Sequence, residues 1–313
     1  MGGVIALLAP GQGSQAPGML EPWLELDGAR ERVAVWSEAT GLDLLRLGTT
    51  ADAAEIKDTA VTQPLVVALS LLAFEELDRR MELPAASPVV GHSVGELAAA
   101  AIAGVLPTDD AVAFAAVRGR AMAEACAAEA TGMSAVLGGE LNEVLAALAR
   151  HGLEAANRNG AGQIVAAGPR GALAALAEDR PDRARVVPLP VAGAFHTRFM
   201  APAERTLAEH AAALAPKDPT RPLLSNADGE VVSDGAEMLR RLVAQVTTPV
   251  RWDSCMAGLH GLSITATVEL PPAGTLSSLV KRELKGTLTV ALREPADLDQ
   301  LAGLFSDHSG SPA

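Results

Sequence analysis

The sequence predicts an α/β protein, a largely parallel sheet with a smaller unit inserted into it. Two observations carry this. Short apolar runs alternate along the chain with longer segments rich in Ala, Leu and Glu, which is the pattern of strands joined by crossover helices. Between Gly132 and about Ala192 the order changes to strand, helix, two strands, helix, strand. That βαββαβ order marks a ferredoxin-like unit; the alternative is one continuous α/β sheet.

The elements follow in chain order. "VIALLA" (4–9) is uncharged and aliphatic, and it reads as a buried first strand. No basic region precedes it, so it is not read as a signal peptide. "TQPLVVALSLLAFEELDRRM" (62–81) has helical length and ends in basic residues, as a helix C-terminus favours. "SPVVGH" (87–92) is a second strand, followed by helices over 96–106 and 108–129. Strands at 134–139, 162–168 and 185–191, with helices at 141–152 and 170–181, make the inserted unit. The expected division is 131–192 for that unit and 1–130 with 193–313 for the larger one. A helix over 202–215 and strands at 222–226 and 264–270 return the chain to the large sheet, and "SDHSGSPA" at the end reads as a frayed tail.

Composition narrows the function. The 313 residues are 49% hydrophobic and 20% charged, an ordinary globular balance that can bury a sizeable core. A net charge of -13 argues against nucleic-acid binding, which needs a basic face. The two cysteines, Cys126 and Cys255, form no CxxC pair and supply no zinc thiolate set. Two lone thiols suit a reducing compartment, and no stretch approaches about 20 uninterrupted apolar residues. A cytoplasmic protein with no membrane span is expected.

The chemistry concentrates in "PVVGHSVGEL" (88–97), where Gly91, Ser93 and Gly95 satisfy G-x-S-x-G. A serine on so sharp a strand-to-helix turn has its hydroxyl lifted clear of the sheet. Flanking glycines remove side chains that would collide. The helix that follows points its free N–H groups at the site and favours an oxyanion. A merely tight turn is the alternative.

A serine nucleophile needs a base, and the chain has six histidines. His308 lies in the tail, and His210 sits mid-helix. His151 and His260 stand near helix ends, where a cation suits the dipole. His92 adjoins the serine and points elsewhere; its i, i+4 partner Glu96 has no third metal ligand beside it. His196, in "VAGAFHTRFM", remains: a loop at a sheet edge, where a base could reach the serine and a structural histidine could equally sit. The first strand ends in "APGQGSQAPG", which is neither a dinucleotide fingerprint, since Ala16 stands where glycine is needed, nor a P-loop.

Taken together, "GQGSQ" (11–15), "TQP" (62–64), "GHSVGE" (91–96), "RGRAM" (118–122), "ANRNGAGQIVAAG" (156–168), "GAFHT" (193–197) and "PVRW" (249–252) closely resemble the malonyl-CoA:acyl carrier protein transacylases of type II fatty acid synthesis. They also resemble the acyltransferase domains of polyketide synthases. The resemblance runs from about residue 4 to about 295. It implies an α/β-hydrolase-like large domain with an inserted ferredoxin-like subdomain. It implies Ser93 as nucleophile, His196 as base and acid, and the backbone N–H groups of Gln12 and Val94 as an oxyanion hole. Arg118 would grip the malonyl carboxylate, and Gln63, Asn157 and Phe195 would line the acyl pocket, Phe195 against a methyl branch. A main-chain carbonyl near Gln245 would orient His196, so no catalytic aspartate is needed. Malonyl-CoA and holo acyl carrier protein are the implied partners, with no metal or redox cofactor, and the chain is expected to be a monomer.

Other readings share parts of this pattern. One is a trans-acting acyltransferase of a polyketide pathway. Another is a serine hydrolase or thioesterase. A third is a non-catalytic module that binds carrier protein or CoA. An acidic carrier protein would need a local basic patch, for which Arg198, Arg205, Lys281 and Arg282 are candidates.

Overall fold

The computed structural model describes residues 4–81 and 83–301. Six strands form the larger sheet: β1 (Val4–Ala9), β2 (Val89–Gly91), β7 (Leu223–Leu224), β8 (Val231–Val232), β9 (Ile264–Glu269) and β10 (Leu288–Ala291). Their spatial order is β10-β9-β1-β2-β7-β8, parallel except for the β7–β8 hairpin at one edge. β1 lies near the centre and is almost wholly buried. A strand covered on both faces must be uniformly apolar, and "VIALLA" is.

Four strands form the smaller sheet: β3 (Thr131–Gly138), β4 (Glu154–Gly160), β5 (Gln163–Pro169) and β6 (Ala184–Pro188). They are antiparallel in the order β4-β5-β3-β6. Helices Leu141–Arg150 and Arg170–Glu178 intervene, which reproduces the expected βαββαβ sequence. They share with this sheet a separate apolar core built on Val136, Val144, Leu148, Ile164 and Leu176. Backbone bonds tie the smaller sheet to the loop that precedes helix Trp252–Gly261. Val250 N–H donates to Ala156 O at 2.8 Å, and Arg158 N–H donates to Val250 O at 2.9 Å.

The helix read as 62–81 spans Thr59–Arg80. It begins earlier because Asp58 caps it, accepting from Ala60 N–H at 2.9 Å. Among the described residues it is the one helix long and apolar enough to cross a membrane, but most of its apolar stretch is buried inside the protein. It packs beside Thr108–Ala128, so Gln63 and Arg118 face each other across that contact. Several elements escape the apolar pattern: helices Ala29–Thr40, Leu44–Thr49, Gly235–Ala244, Trp252–Gly261 and Thr275–Glu283, and the short strands β8 and β10. The helix read as 202–215 ends sooner, at Ala211, and the strand read as 185–191 stops at Pro188. The tail from Ser306, with His308, lies outside the described residues.

The turn after β2 fixes the site. Ser93 has φ of 54°, a left-handed conformation that is costly for a residue with a Cβ. A Cβ on Gly91 would lie 2.1 Å from the backbone of Gly95, and one on Gly95 would lie 2.2 Å from Ala9 O. Neither neighbour is a movable side chain. Gly95→Ala should therefore destabilise the fold by about 3 kcal/mol or more, through forced backbone displacement. Gly171→Ala, in a helix and with open space around it, should be neutral or stabilise by about 0.5–1 kcal/mol. Thermal unfolding of both variants checks the pair; an unchanged Tm for Gly95→Ala would contradict the steric reading.

Candidate active site

Ser93 Oγ and His196 Nε2 are 2.7 Å apart. His196 comes from the loop after β6, 103 positions along the chain, and it too has a left-handed φ, of 59°. Both members of the pair thus sit in strained backbone, which the surrounding packing must hold. His196 Nδ1–H donates to Gln245 O at 2.8 Å. That bond leaves Nε2 unprotonated and facing the serine hydroxyl. The orienting acceptor is a neutral carbonyl.

Arg118 is the third member. Its guanidinium is almost fully buried. One terminal nitrogen donates to Gln63 Oε1 at 2.6 Å; the other donates to Gln245 Oε1 at 2.8 Å and lies 3.4 Å from Ser93 Oγ. Arg118 Nε has no partner among the described residues. Burial pulls the guanidinium down to about 10, and the negative charge of Glu96 opposes the shift. It remains a cation at neutral pH, poised beside the serine with unused hydrogen-bonding capacity.

A cavity of about 110 Å³ opens over these groups. Gln12, Gln63, Val94, Asn157 and Phe195 all line it, with Ser93, Arg118 and His196. The backbone N–H groups of Gln12 and Val94 donate to no protein acceptor among the described residues. Asn157 Oδ1 is buried and likewise unpartnered. The residues expected to form the acyl site therefore lie in or against one cavity, Gln245 lying behind His196.

Several contributors were not singled out as site residues. Asn226 clamps the elbow: its Oδ1 accepts from Ser93 N–H at 2.8 Å, and its Nδ2 donates to Gly91 O at 2.7 Å. Glu96 is buried behind it and accepts from Asn226 N–H at 2.6 Å. Burial pushes Glu96 up to about 7 against the pull of its donors. The i, i+4 pair His92 and Glu96 share nothing: His92 Nε2 meets Asn159 Oδ1 at 3.1 Å. Among the described residues no group of three potential ligands could hold a metal. The four basic candidates for docking are all exposed; Arg198 pairs with Glu154 and Arg282 reaches Gln163.

A serine–histidine pair on a strand-to-helix elbow of a parallel sheet defines an α/β protein equipped for acyl chemistry. Comparison with known proteins narrows this. The acyl transferase domain family matches residues 7–308. The chain is 60% identical over 302 residues to the malonyl CoA-acyl carrier protein transacylase of Mycobacterium bovis, covering 96% of this chain and all of that protein. The crystal structure of MCAT from Mycobacterium tuberculosis is also 60% identical, with a TM-score of 0.93 over 96% of this chain and 99% of that one. A malonyl-transacylase solved in complex with a type II polyketide synthase acyl carrier protein gives 0.89 at 27% identity, covering 95% and 98%. The chain belongs to the acyl transferase family, in its malonyl CoA-acyl carrier protein transacylase branch.

The electrostatics give a test. Burial and the nearby Arg118 charge pull His196 down to about 3, from an ordinary value of 6.5. A folded-state value below the unfolded one means that the group favours folding fully above pH 6.5. That contribution is lost as pH falls from 6.5 towards 3. The His196 ring should therefore keep neutral-imidazole NMR shifts from pH 8 down to pH 5. A titration centred near 6.5 would contradict the buried, Arg118-flanked environment.

Proposed function

We propose that this chain transfers a malonyl group from malonyl-CoA to the phosphopantetheine thiol of an acyl carrier protein, through a malonyl-Ser93 ester. The observation that carries the reading is the convergence of His196 Nε2 and an Arg118 nitrogen within 3.4 Å of the Ser93 hydroxyl. A nucleophile, its base and a carboxylate-binding guanidinium share one small cavity.

Ser93 Oγ attacks the thioester carbon while its proton passes to His196 Nε2. The oxyanion is received by the free N–H groups of Gln12 and Val94, each donor worth a few kcal/mol in such sites. The C–S bond breaks, and the His196 proton leaves with the CoA sulfur. In the second half the carrier thiol gives its proton to His196 and attacks the ester. The ester C–Oγ bond then breaks and the proton returns to Ser93 Oγ. Gln245 O keeps the imidazole in the required tautomer throughout. Arg118 takes the malonyl carboxylate, a task suited to a planar guanidinium, and Gln63 braces Arg118 from behind. Asn157 Oδ1 would accept from a substrate donor. Phe195 fills the space that a methyl branch would need, a discrimination of about 1–3 kcal/mol.

The same reading takes residues 131–192 as a ferredoxin-like subdomain inserted in an α/β-hydrolase-like domain of residues 1–130 and 193–313. The strand order β4-β5-β3-β6 and the separate core of the smaller sheet support it. It includes a cytoplasmic monomer with no nucleic-acid or membrane partner and no metal or redox cofactor. The relative solved with a polyketide carrier protein favours keeping one further reading, a polyketide pathway as the source of the carrier.

Two experiments test the reading. Incubation with malonyl-CoA should give a covalent malonyl adduct by intact-protein mass spectrometry. Ser93→Ala should abolish it without unfolding the protein, and an adduct on Cys126 or Cys255 would refute the assignment. Arg118→Ala should cut malonyl loading by at least a hundredfold while neutral acyl groups gain in relative terms, because a buried carboxylate would lose its partner. Competition between malonyl-CoA and acetyl-CoA reads this directly.

A further inference from the structure

The side chain of Gln245 stands between a buried guanidinium and a buried carboxyl group. Its Nε2 donates to a carboxylate oxygen of Glu96, and to Ser93 O at 3.1 Å. Its Oε1 accepts from Arg118 at 2.8 Å. The reverse amide orientation would set N–H groups against the guanidinium and an oxygen against the carboxylate. Glu96 is 1% exposed and cannot turn away to water. Its other oxygen is held by Asn226 N–H at 2.6 Å, and Asn226 itself grips Gly91 and Ser93. Glu96 is thus anchored to the nucleophile turn on one side and dictates the Gln245 amide on the other. Arg118 has two side-chain acceptors, Gln63 and Gln245. Loss of the second would free the nitrogen that lies beside Ser93 Oγ.

We propose that Glu96 is a positioning residue for acyl-group selection. By fixing the amide orientation of Gln245, it aims Arg118 at the space beside Ser93 and so sets the preference for an acyl group with a free carboxylate. This deepens the malonyl-loading reading and rests on it. Glu96 touches no substrate; it acts through Gln245 and Arg118. A buried acid that only supported the elbow would serve every acyl group alike.

Glu96→Gln has nearly the same shape and can still accept from Asn226 N–H, but it turns an amide NH2 towards Gln245 Nε2. Gln245 must then flip, which deprives Arg118 of one of its two acceptors, or lose the bond, which leaves its amide free to turn away from Arg118. Gln245→Leu removes the relay and leaves the main-chain carbonyl that orients His196. Single-turnover loading of Ser93 from malonyl-CoA and from acetyl-CoA, followed by mass spectrometry, gives the malonyl-to-acetyl ratio for each protein. In both variants that ratio should fall at least tenfold, and the double variant should be no less selective than the weaker single. An equal loss for both acyl groups, an unchanged ratio, or additive losses in the double variant would overturn the proposal. If Glu96→Gln does not fold, Gln245→Leu decides by the same ratio. The wild type separates the two levels. Failure to load malonyl on Ser93 would sink the functional reading, whereas selective wild type with equally selective variants would sink only the role of Glu96.

Discussion

The strained turn at Ser93 is the constraint to which the rest of the site answers. The turn brings the backbone of Gly91, Gly95 and Ala9 so close that no Cβ fits at either glycine. It also leaves the Ser93 N–H pointing inward, away from any strand or helix partner. A buried donor without an acceptor costs about 1–3 kcal/mol, and Asn226 supplies the acceptor. One side-chain amide thereby satisfies both ends of the turn. The parallel sheet provides the platform, since β1 and β2 end side by side and carry Gln12 and Ser93 to the same edge.

Around that turn the protein buries charge that a core normally excludes. Arg118 and Glu96 are within a few per cent of complete burial, beside a His196 ring that burial keeps neutral. The amide of Gln245 stands between the acid and the guanidinium, so each charge is met by a dipole. Burial of this kind contributes little net stability. Its effect is orientational: each group has one hydrogen-bonding arrangement that leaves no charge facing a like partner. The histidine is held the same way, by a carbonyl from the loop that is stitched through Val250 to the smaller sheet.

What the sequence disclosed and what it hid divide along a physical line. The G-x-S-x-G turn was legible because its cause is local: two missing side chains and the flanking strand and helix lie within ten residues. β1 was legible because full burial demands an unbroken apolar run. The helices around Trp36 and Met238 were not, because each buries a few separated positions among charged residues and offers no unbroken apolar run. Elimination left His196 open between base and structural residue; the 2.7 Å contact with Ser93 Oγ resolves where it sits. Asn226 gave no local signal, since its partner at the turn is 133 positions away. Glu96 was visible as the last residue of "GHSVGE" and as the i, i+4 neighbour of His92, a pair set aside for want of a third ligand, and the two side chains do hold different partners.

The neutral carbonyl behind His196 has an electrostatic consequence. Among the described residues no carboxylate contacts the ring, and the Arg118 charge works against an imidazolium. In the free protein the ring is therefore a poor resting place for a proton. A carboxylate docked on Arg118 would cancel much of that repulsion. The incoming acyl group would then raise the proton affinity of the very base that activates its attacker, and a neutral acyl group would bring no such counterion. The substrate would act as the missing acid of the triad, present only while there is something to transfer.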